Sequence, residues 1–298
     1  MTDHLLTIAD LGPGGLAGVL SLVARPDLPK VLEGQGVALI FEKPSARTRH
    51  SMEVAVIQLG GHPVYTRGEE VGFDVREPVE DVARVLAGYH GVLAARVFDH
   101  RVVERMAAVS DVPVINMLSD HAHPLQALAD VITMIEIHGD LAGRRVAFVG
   151  DYNNVARSLA EACVMLGADV AIASPADYGA DDSEVERVSL LGPGTMTQHH
   201  RAIDAVAGAI AVHADTWTSM GQESQKAGRE RAFEAFRVDD ALLDGAAPGV
   251  GFYHCLPAYR GKEMTAAVID GPRSHVIRQA HNRLHTARAA IAYVKGVR

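Results

Sequence analysis

The stretch Phe41-Glu42-Lys43-Pro44-Ser45-Ala46-Arg47-Thr48-Arg49 joins an apolar run to a helical pattern. Residues 37–41 are all apolar, which is typical of a buried strand, and the run breaks at Pro44. The helical pattern begins near Arg47. Hydroxyls and guanidiniums therefore gather at a predicted helix N-terminus, where backbone N–H groups lack helical partners and carry a partial positive charge. This combination predicts an anion site, best suited to a phosphate dianion.

The same order of strand and helix repeats along the chain. Apolar runs predict strands at residues 37–41, 92–97, 112–118, 145–149, 170–173, 209–213 and 250–254. Helical patterns lie at residues 51–59, 79–89, 124–138, 155–166 and 201–207, with a last helix at about 274–294. Alternation of this kind predicts an α/β fold of two doubly wound domains, each with a parallel sheet flanked by helices.

The domain boundary is expected at His138-Gly139, where one helix ends before the next strand begins. Residues 1–138 would form the first domain and residues 139–273 the second. The C-terminal helix, at about 274–298, is expected to pack back on the first domain because its apolar face needs a partner. Residues 68–78 and 221–229 are expected to be mobile surface loops.

Composition narrows the class of protein. The chain has 298 residues, 48% of them hydrophobic, which suits one large or two ordinary domains. A net charge of −9 argues against a general nucleic-acid or acidic-membrane surface, so any anion site is local. Cys163 and Cys255 give neither a disulfide framework nor a zinc pattern. With no recognisable signal peptide or membrane-length apolar run, we expect a soluble cytoplasmic protein without a metal.

Polar side chains follow the predicted strands where each strand ends. Ligands bind at the carboxyl ends of the strands in open parallel sheets. Six predicted strands place polar residues at this edge, so we expect one extended site that spans both domains. The residues are, in chain order, Ser45, Arg47, Thr48, Arg96, His123, Gln126, Asn153, Asn154, Asp215 and Cys255.

Each of these features also has a purely structural interpretation. Arg47 and Arg49 could belong to a solvated helix start, paired with Glu42 or Glu53. His123 could be no more than a helix start, because Pro124 suits the first helical position.

The later strand ends are open to similar alternatives. Asn153-Asn154 could be turn and cap residues, Cys255 a buried small residue, and residues 215–221 a surface turn. The acid and hydroxyl of that turn would equally suit a cationic ligand group. Gly150-Asp151 is typical of a dinucleotide-binding strand, but no Gly-x-Gly-x-x-Gly follows, so a nicotinamide cofactor is not supported.

Taken together and in order, the motifs resemble those of the carbamoyltransferase family over nearly the whole chain. Each motif alone is weak, whereas their order and spacing are specific. They are the stretch from Phe41 to Arg49, His123-Pro124-Leu125-Gln126, the run from Asp215 through Ser219-Met220-Gly221, His254-Cys255-Leu256-Pro257, and Asn282-Arg283.

The resemblance implies transfer of a carbamoyl group from carbamoyl phosphate to the δ-amine of L-ornithine, giving citrulline in arginine biosynthesis without a cofactor. Ser219-Met220-Gly221 implies ornithine rather than aspartate as the acceptor. The resemblance also implies a homotrimer with active sites at subunit interfaces.

The implied phosphate ligands are Ser45, Ala46, Arg47, Thr48 and Arg96. The implied carbamoyl contacts are His123, Gln126, Arg283 and the carbonyls of Cys255 and Leu256. The implied ornithine ligands are Asn154, Asp215, Ser219 and Met220. The implied catalytic residues are Arg96, His123, Asp215, Cys255 and Arg283.

Two departures from the family pattern stand out. Ala46 occupies a position where the family usually has Thr, and we expect Ala46→Thr to change the KM for carbamoyl phosphate less than about tenfold. In the loop at residues 68–76, Gly72-Phe73-Asp74 stands where a neighbouring subunit of the family lends a polar residue.

Two alternative functions remain: a carbamoyltransferase for another amine, such as putrescine or an acylated ornithine, and a non-catalytic ligand-binding paralog.

Overall fold

We describe the protein from a computed structural model that defines residues 4–218 and 223–298. The strands are β1 (Gly36–Phe41), β2 (His62–Arg67), β3 (His90–Arg96), β4 (Val114–Leu118), β5 (Arg145–Val149), β6 (Asp169–Ala173), β7 (Thr195–His199), β8 (Ala209–Ala214) and β9 (Gly251–His254). The helices are α1 (Gly12–Val23), α2 (Ala46–Gln58), α3 (Gly68–Val71), α4 (Val79–Ala87), α5 (His100–Val109), α6 (Pro124–His138), α7 (Asn154–Met165), α8 (Asp182–Ser189), α9 (Ala202–Val206), α10 (Lys226–Phe233), α11 (Asp240–Asp244), α12 (Ala266–Ile269) and α13 (Val276–Val294).

The chain forms two units, one of Met1–Ala129 with His281–Arg298 and one of Asp130–Ala280. The division falls inside α6 and α13, nine residues before the first boundary and seven residues after the second boundary that the sequence predicts. The last part of α13 thus belongs to the first unit. The predicted fold class, two parallel sheets flanked by helices, is confirmed.

The first unit is built on a parallel sheet with the strand order β2-β1-β3-β4. Its inner strands are almost wholly buried, and their apolar side chains pack with those of α4 and α5. Asp99 caps α5 by accepting a hydrogen bond from the Arg101 backbone N–H. Because β2 and β3 lie on opposite sides of β1, the chain leaves the carboxyl ends of β1 and β3 in opposite directions, which opens a crevice there.

The second unit is also built on a parallel sheet, which is larger and has the strand order β7-β6-β5-β8-β9. Its core includes large buried side chains such as Phe233 and Phe252. The strand order reverses between β5 and β8, so the corresponding crevice lies at the carboxyl ends of these two strands.

The sequence did not predict β2 and β7. Both are edge strands with many exposed positions, so they lack the continuous apolar run of the inner strands. Pro63 lies within β2, where an edge strand tolerates the missing N–H.

The two segments expected to be surface loops are partly helical. Residues 68–71 form α3, whose first turn is closed by two hydrogen bonds that the Arg67 backbone N–H and Nε donate to the Glu70 carboxylate. Residues 226–229 lie in α10, and Arg229 is buried. In the described part of the chain, no helix is both long enough and apolar enough to cross a membrane.

Candidate active site

In the first unit, polar side chains at the carboxyl ends of β1 and β3 contact Thr48. The Ser45 side chain caps α2 by accepting a hydrogen bond from the Thr48 N–H at 3.3 Å, which sets the helix start. The Thr48 hydroxyl then lies 3.4 Å from Nη1 of Arg96 and 3.4 Å from Nη2 of Arg283. Thr48, Arg96 and Arg283 are all buried. Two like charges therefore converge on one hydroxyl at a helix N-terminus, an arrangement that an anion stabilises.

Gln126 orients one of these guanidiniums. Nη1 of Arg283 donates a hydrogen bond to Oε1 of Gln126 at 2.6 Å, and both side chains are buried. This bond turns the amide nitrogen of Gln126 away from the guanidinium, so it can serve as a donor elsewhere.

His123 is buried in the same unit, directly before α6. Burial, together with the charges of Arg283, Arg96 and Arg47, holds the pKa of His123 well below its ordinary value. The imidazole is therefore neutral near pH 7 and acts as a hydrogen-bonding group rather than as a cation. Burial and the charge of Arg96 also lower the pKa of Lys43.

The two arginines of α2 have different surroundings. Arg49 forms an ion pair with Glu53 at 2.8 Å, and its guanidinium lies 3.9 Å from the ring centroid of Tyr65. The structural alternative is therefore correct for Arg49. Arg47 is exposed, yet its charge acts on His123. A cleft of about 460 Å³ lies beside the start of α2 and is lined by Ser45 and Ala46 together with Arg49 and Tyr65.

In the second unit, Asp215 links the residues that follow β5 and β8. Its Oδ2 accepts a hydrogen bond from Nδ2 of Asn153 at 2.8 Å. Its Oδ1 accepts one from the Cys255 thiol at 2.9 Å. Asn153 also caps α7, because its Oδ1 accepts from the backbone N–H groups of Val155 and Ala156. A buried carboxylate held in this way suits an ammonium or amine ligand.

A buried guanidinium holds the segment that follows Asp215. Nε of Arg229 donates to the carbonyl oxygen of Trp217 at 2.5 Å, and Nη2 donates to the Asp151 carboxylate. The Arg229 guanidinium also lies 4.7 Å from the ring centroid of Tyr178. Trp217 is thereby tied to α10 and to the end of β5.

The segment after β9 is turned sharply. Leu256 adopts a left-handed backbone with φ of 57°, which is strained for a residue with a branched side chain. Its N–H donates to Nδ1 of His254 at 2.9 Å. Nε2 of His254 lies 3.3 Å from a carboxylate oxygen of Glu263, so the imidazole is held from both sides.

Among the described residues, Asp215, His254 and Cys255 offer ligand atoms that all lie within 4.8 Å of one another. Both ring nitrogens of His254 face other groups, since Nδ1 accepts from the Leu256 N–H and Nε2 faces Glu263. Both carboxylate oxygens of Asp215 also accept hydrogen bonds, so the three side chains serve each other and their neighbours as hydrogen-bonding groups.

Two family models together match almost the whole chain. The carbamoyl-P binding domain of aspartate/ornithine carbamoyltransferases matches residues 4–136, and their Asp/Orn binding domain matches residues 142–294. The chain belongs to the aspartate/ornithine carbamoyltransferase family. The resemblance noted from the motifs is thus confirmed.

Individual members of this family are similar along their full length. An ornithine carbamoyltransferase from Thermus thermophilus is 46% identical over 295 residues, covering 98% of this chain and 96% of the relative. An anabolic ornithine carbamoyltransferase from Pyrococcus furiosus is 45% identical over 270 residues, covering 90% and 86%. The crystal structure of ornithine carbamoyltransferase from Thermus thermophilus superposes with a TM-score of 0.90 at 42% identity, covering 99% of each chain.

The structure brings the residues implied by family resemblance into two groups. In the first unit, Ser45, Thr48, Arg96, Gln126 and Arg283 form one hydrogen-bonded group. In the second unit, Asp215 and Cys255 are in direct contact. Asn154 is the first residue of α7 and is half-buried. Ser219 and Met220 lie outside the described residues.

Three polar residues of the second unit have no role implied by the family resemblance. Asn153, which the sequence placed at the site edge with a turn or cap role as the alternative, contacts Asp215. Arg229 falls in a segment taken for a surface loop. Gln279 lies inside the C-terminal helical pattern, where no motif marks it. Adjacent asparagines were a usable signal for Asn153, whereas the contacts of Arg229 and Gln279 depend on tertiary structure.

Proposed function

We propose that this chain transfers the carbamoyl group of carbamoyl phosphate to the δ-amine of L-ornithine, releasing L-citrulline and phosphate. Membership of the family and the names of its relatives support this activity. The observation that carries the proposal is the Thr48 hydroxyl, which lies 3.4 Å from the guanidinium groups of both Arg96 and Arg283. A small dianion with a polarised carbonyl suits this group.

The first unit binds the donor. The N-terminus of α2 and the guanidiniums of Arg47 and Arg96 balance the charge of the phosphate dianion, with hydrogen bonds from Ser45, Thr48 and the Ala46 N–H. Attack on the carbamoyl carbon builds negative charge on the carbamoyl oxygen. The donors proposed to stabilise this charge are Arg96, His123, Gln126 and Arg283. Because its imidazole is neutral, His123 can donate one hydrogen bond without repelling the neighbouring guanidiniums.

The second unit binds the acceptor. Asp215 attracts an amino group of ornithine, while Asn153 holds the carboxylate in place. Asn154, Ser219 and Met220 are proposed to complete the ornithine site, and the carbonyls of Cys255 and Leu256 to contact the carbamoyl group.

The reaction replaces a C–O bond at the carbamoyl carbon with a C–N bond. The δ-nitrogen forms the new C–N bond, the C–O bond to phosphate breaks, and phosphate leaves with the electron pair. The amine gives up a proton, for which the Asp215 carboxylate is the proposed acceptor, with the Cys255 thiol as its hydrogen-bond donor 2.9 Å away. Positioning two bound substrates for attack supplies much of the rate.

The biological setting belongs to the same proposal. The anabolic name of the Pyrococcus furiosus relative supports a role in arginine biosynthesis. A cytoplasmic location agrees with Cys255, which has to remain reduced to act. A homotrimer with active sites at subunit interfaces is carried over from the family resemblance. Exposed apolar side chains on α2 and β2, including Ile57 and Val64, supply surface for such an assembly.

Steady-state assays with ornithine, putrescine and N-acetylornithine test the acceptor. Citrulline formation is expected with ornithine, and turnover with another amine alone would overturn the assignment. A stable fold with tight carbamoyl phosphate binding but no turnover would instead favour a non-catalytic paralog. Light scattering after size-exclusion chromatography measures the assembly, and a monomer with full activity would contradict the shared sites.

A pair of neighbouring arginines tests the donor site. Arg47→Ala should lower kcat/KM for carbamoyl phosphate by about a hundredfold or more, because a charge-assisted phosphate contact is lost. Arg49→Ala is the matched control on the same helix, since Arg49 pairs with Glu53 and Tyr65. Its kcat/KM should stay within about fivefold of the wild type. Equal effects of the two substitutions would show that the phosphate site is wrongly placed.

A further inference from the structure

A buried polar cluster of the second unit lies on elements that lead to Asp215 and Cys255. It consists of Asp130 on α6, His213 on β8 and Gln279 on α13, and each is 0% exposed. Nε2 of Gln279 donates to Oδ1 of Asp130 at 2.6 Å and lies 3.1 Å from Nε2 of His213. The same nitrogen of His213 lies 3.4 Å from Oδ2 of Asp130. The proposed chemistry uses none of these three side chains.

The other end of Gln279 holds the backbone of β9. Its Oε1 accepts a hydrogen bond from the His254 N–H at 2.9 Å. β8 and β9 pair in parallel as far as Ala214 and His254, so this contact lies at the last residue of the strand. Cys255 follows directly, where the chain turns into the left-handed residue Leu256.

Gln279 therefore contacts both β8, which leads to Asp215, and β9, which leads to Cys255. His213 precedes Asp215 by two residues along the chain, and His254 directly precedes Cys255. We propose that Gln279 is a positioning residue for the transfer reaction, an inference that rests on the proposed function. It fixes the end of β9, with Asp130 and His213 bracing the end of β8, so that the Cys255 thiol meets the Asp215 carboxylate.

The amide group suits this role because it has distinct donor and acceptor ends. Its oxygen faces a backbone N–H and its nitrogen faces a carboxylate. Leucine at this position has a similar volume but makes neither bond. Exchanging the polarity of the pair, with Gln279→Glu and Asp130→Asn together, keeps both bonds, and the Nε2–H tautomer of His213 can donate to the introduced carboxylate. The amide introduced at position 130 would then donate to the carboxylate introduced at position 279, whose other oxygen still accepts from the His254 N–H.

The test compares Gln279→Leu with the double variant Gln279→Glu/Asp130→Asn. The first readout is the rate of Cys255 alkylation by iodoacetamide in the ligand-free protein. Cys163 is buried, and burial raises the pKa of its thiol, so the reaction reports on Cys255. The second readout is steady-state kinetics with carbamoyl phosphate and ornithine.

We expect Gln279→Leu to change the alkylation rate about fivefold or more and to lower kcat about thirtyfold or more. KM for carbamoyl phosphate should stay within about twofold, because the donor site is built from other residues. The double variant should return both rates to within about threefold of the wild type.

Val276→Ala is the control for general destabilisation, since Val276 is buried on the same helix and makes no bond in the cluster. It should lower Tm while leaving the alkylation rate and kcat near wild-type values. The proposal is overturned if Gln279→Leu keeps both rates, or if the double variant is as impaired as Gln279→Leu. If the wild type transfers no carbamoyl group to ornithine, the proposed function fails, whereas the alkylation rates still test Gln279.

Discussion

Asn153 stabilises a helix and orients a charged group with one short side chain. Its oxygen accepts from two backbone N–H groups at the start of α7, and its nitrogen donates to Asp215. The two functions are inseparable in the native residue because they use opposite ends of one amide. Substitutions can nevertheless separate them, since serine keeps a cap oxygen and lacks the amide donor.

We expect Asn153→Ala to lower the free energy of unfolding by about 1–2 kcal/mol, the usual contribution of a helix cap. KM for ornithine should rise roughly tenfold, because Asp215 loses a charge-assisted hydrogen bond. Asn153→Ser, which keeps a cap oxygen, should retain most of the stability and still raise KM. Urea unfolding and steady-state kinetics measure the two effects. Asn154→Ala is the matched control for the cap. If Asn154→Ala lowers the free energy of unfolding more than Asn153→Ala does, Asn153 is not the main cap of α7.

His123 connects the anion site to the pH dependence of folding. Burial and three arginine charges hold its pKa well below the ordinary value. The folded state therefore binds fewer protons at this residue than the unfolded state does, and the free energy of unfolding rises with pH. This stabilising contribution is present above the unfolded pKa, near about 6.5, and is lost as the pH falls below it.

Between about pH 7 and about pH 5, the wild type should lose more stability than His123→Asn, which cannot take up this proton. Chemical denaturation of both proteins at each pH measures the difference. His50→Asn, a change of an exposed residue on α2, should lose stability in parallel with the wild type. Parallel curves for His123→Asn and the wild type would show that His123 titrates normally.

Among the strands and helices, burial decided which parts the sequence could predict. The inner strands β1, β3, β5 and β8 have runs of buried positions, and their apolar sequence indicated them. Edge strands β2 and β7 bury only some of their side chains, so hydrophobicity alone did not identify them. α2 begins at Ala46, next to the predicted start near Arg47, because the Ser45 cap sets the start.

The start of β7 shows how closely elements of the second unit approach one another. A Cβ atom on Gly194 would lie 2.2 Å from the carbonyl oxygen of Ala168 and 2.9 Å from Cα of Val164. Both are backbone atoms, which cannot rotate away as a flexible side chain can. Glycine is therefore required here for close approach to α7 and to the turn that follows it.

Gly194→Ala should destabilise the protein by about 2–3 kcal/mol through overpacking. Gly14→Ala is the opposite case, since its Cβ would meet no heavy atom within 4 Å and the position lies in α1. That change should stabilise by about 0.4–1 kcal/mol, because alanine lowers the entropy of the unfolded chain. Thermal unfolding of both variants gives the comparison, and similar Tm values would refute the packing argument.

Across the protein, a local positive site exists within an acidic chain. The net charge is −9, yet the charges of Arg47, Arg96 and Arg283 all act on His123. A ligand that binds only the folded state adds stability that grows with the logarithm of its concentration.

Inorganic phosphate at about one hundred times its Kd should therefore stabilise the protein by about 2.7 kcal/mol. Scanning calorimetry measures the rise in Tm, with sodium chloride at equal ionic strength as the control. Arg96→Gln should lose most of the rise. A shift of equal size in sodium chloride would mean that phosphate acts only as a general salt.

The sequence could predict the donor site because a strand, a turn and a helix start follow one another within a few residues at 41–49. It could also predict that polar residues gather at strand ends, since parallel strands share one edge. The strand orders of the two sheets, and therefore the contacts between Thr48 and Arg283 or between Asn153 and Asp215, depend on pairing between distant segments. No local pattern encodes such pairing, which explains why Gln279 and Arg229 were missed.

The reversal of strand order in each sheet has an evolutionary consequence. Residues at and after the ends of β1 and β3 contribute to the anion site, whereas residues after β5 and β9 contact Asp215. Neither set forms part of a sheet core, so either can mutate while the scaffold remains intact. Selection for a new amine can therefore act on the segments of the second unit alone, and the machinery that handles the activated donor can be inherited unchanged.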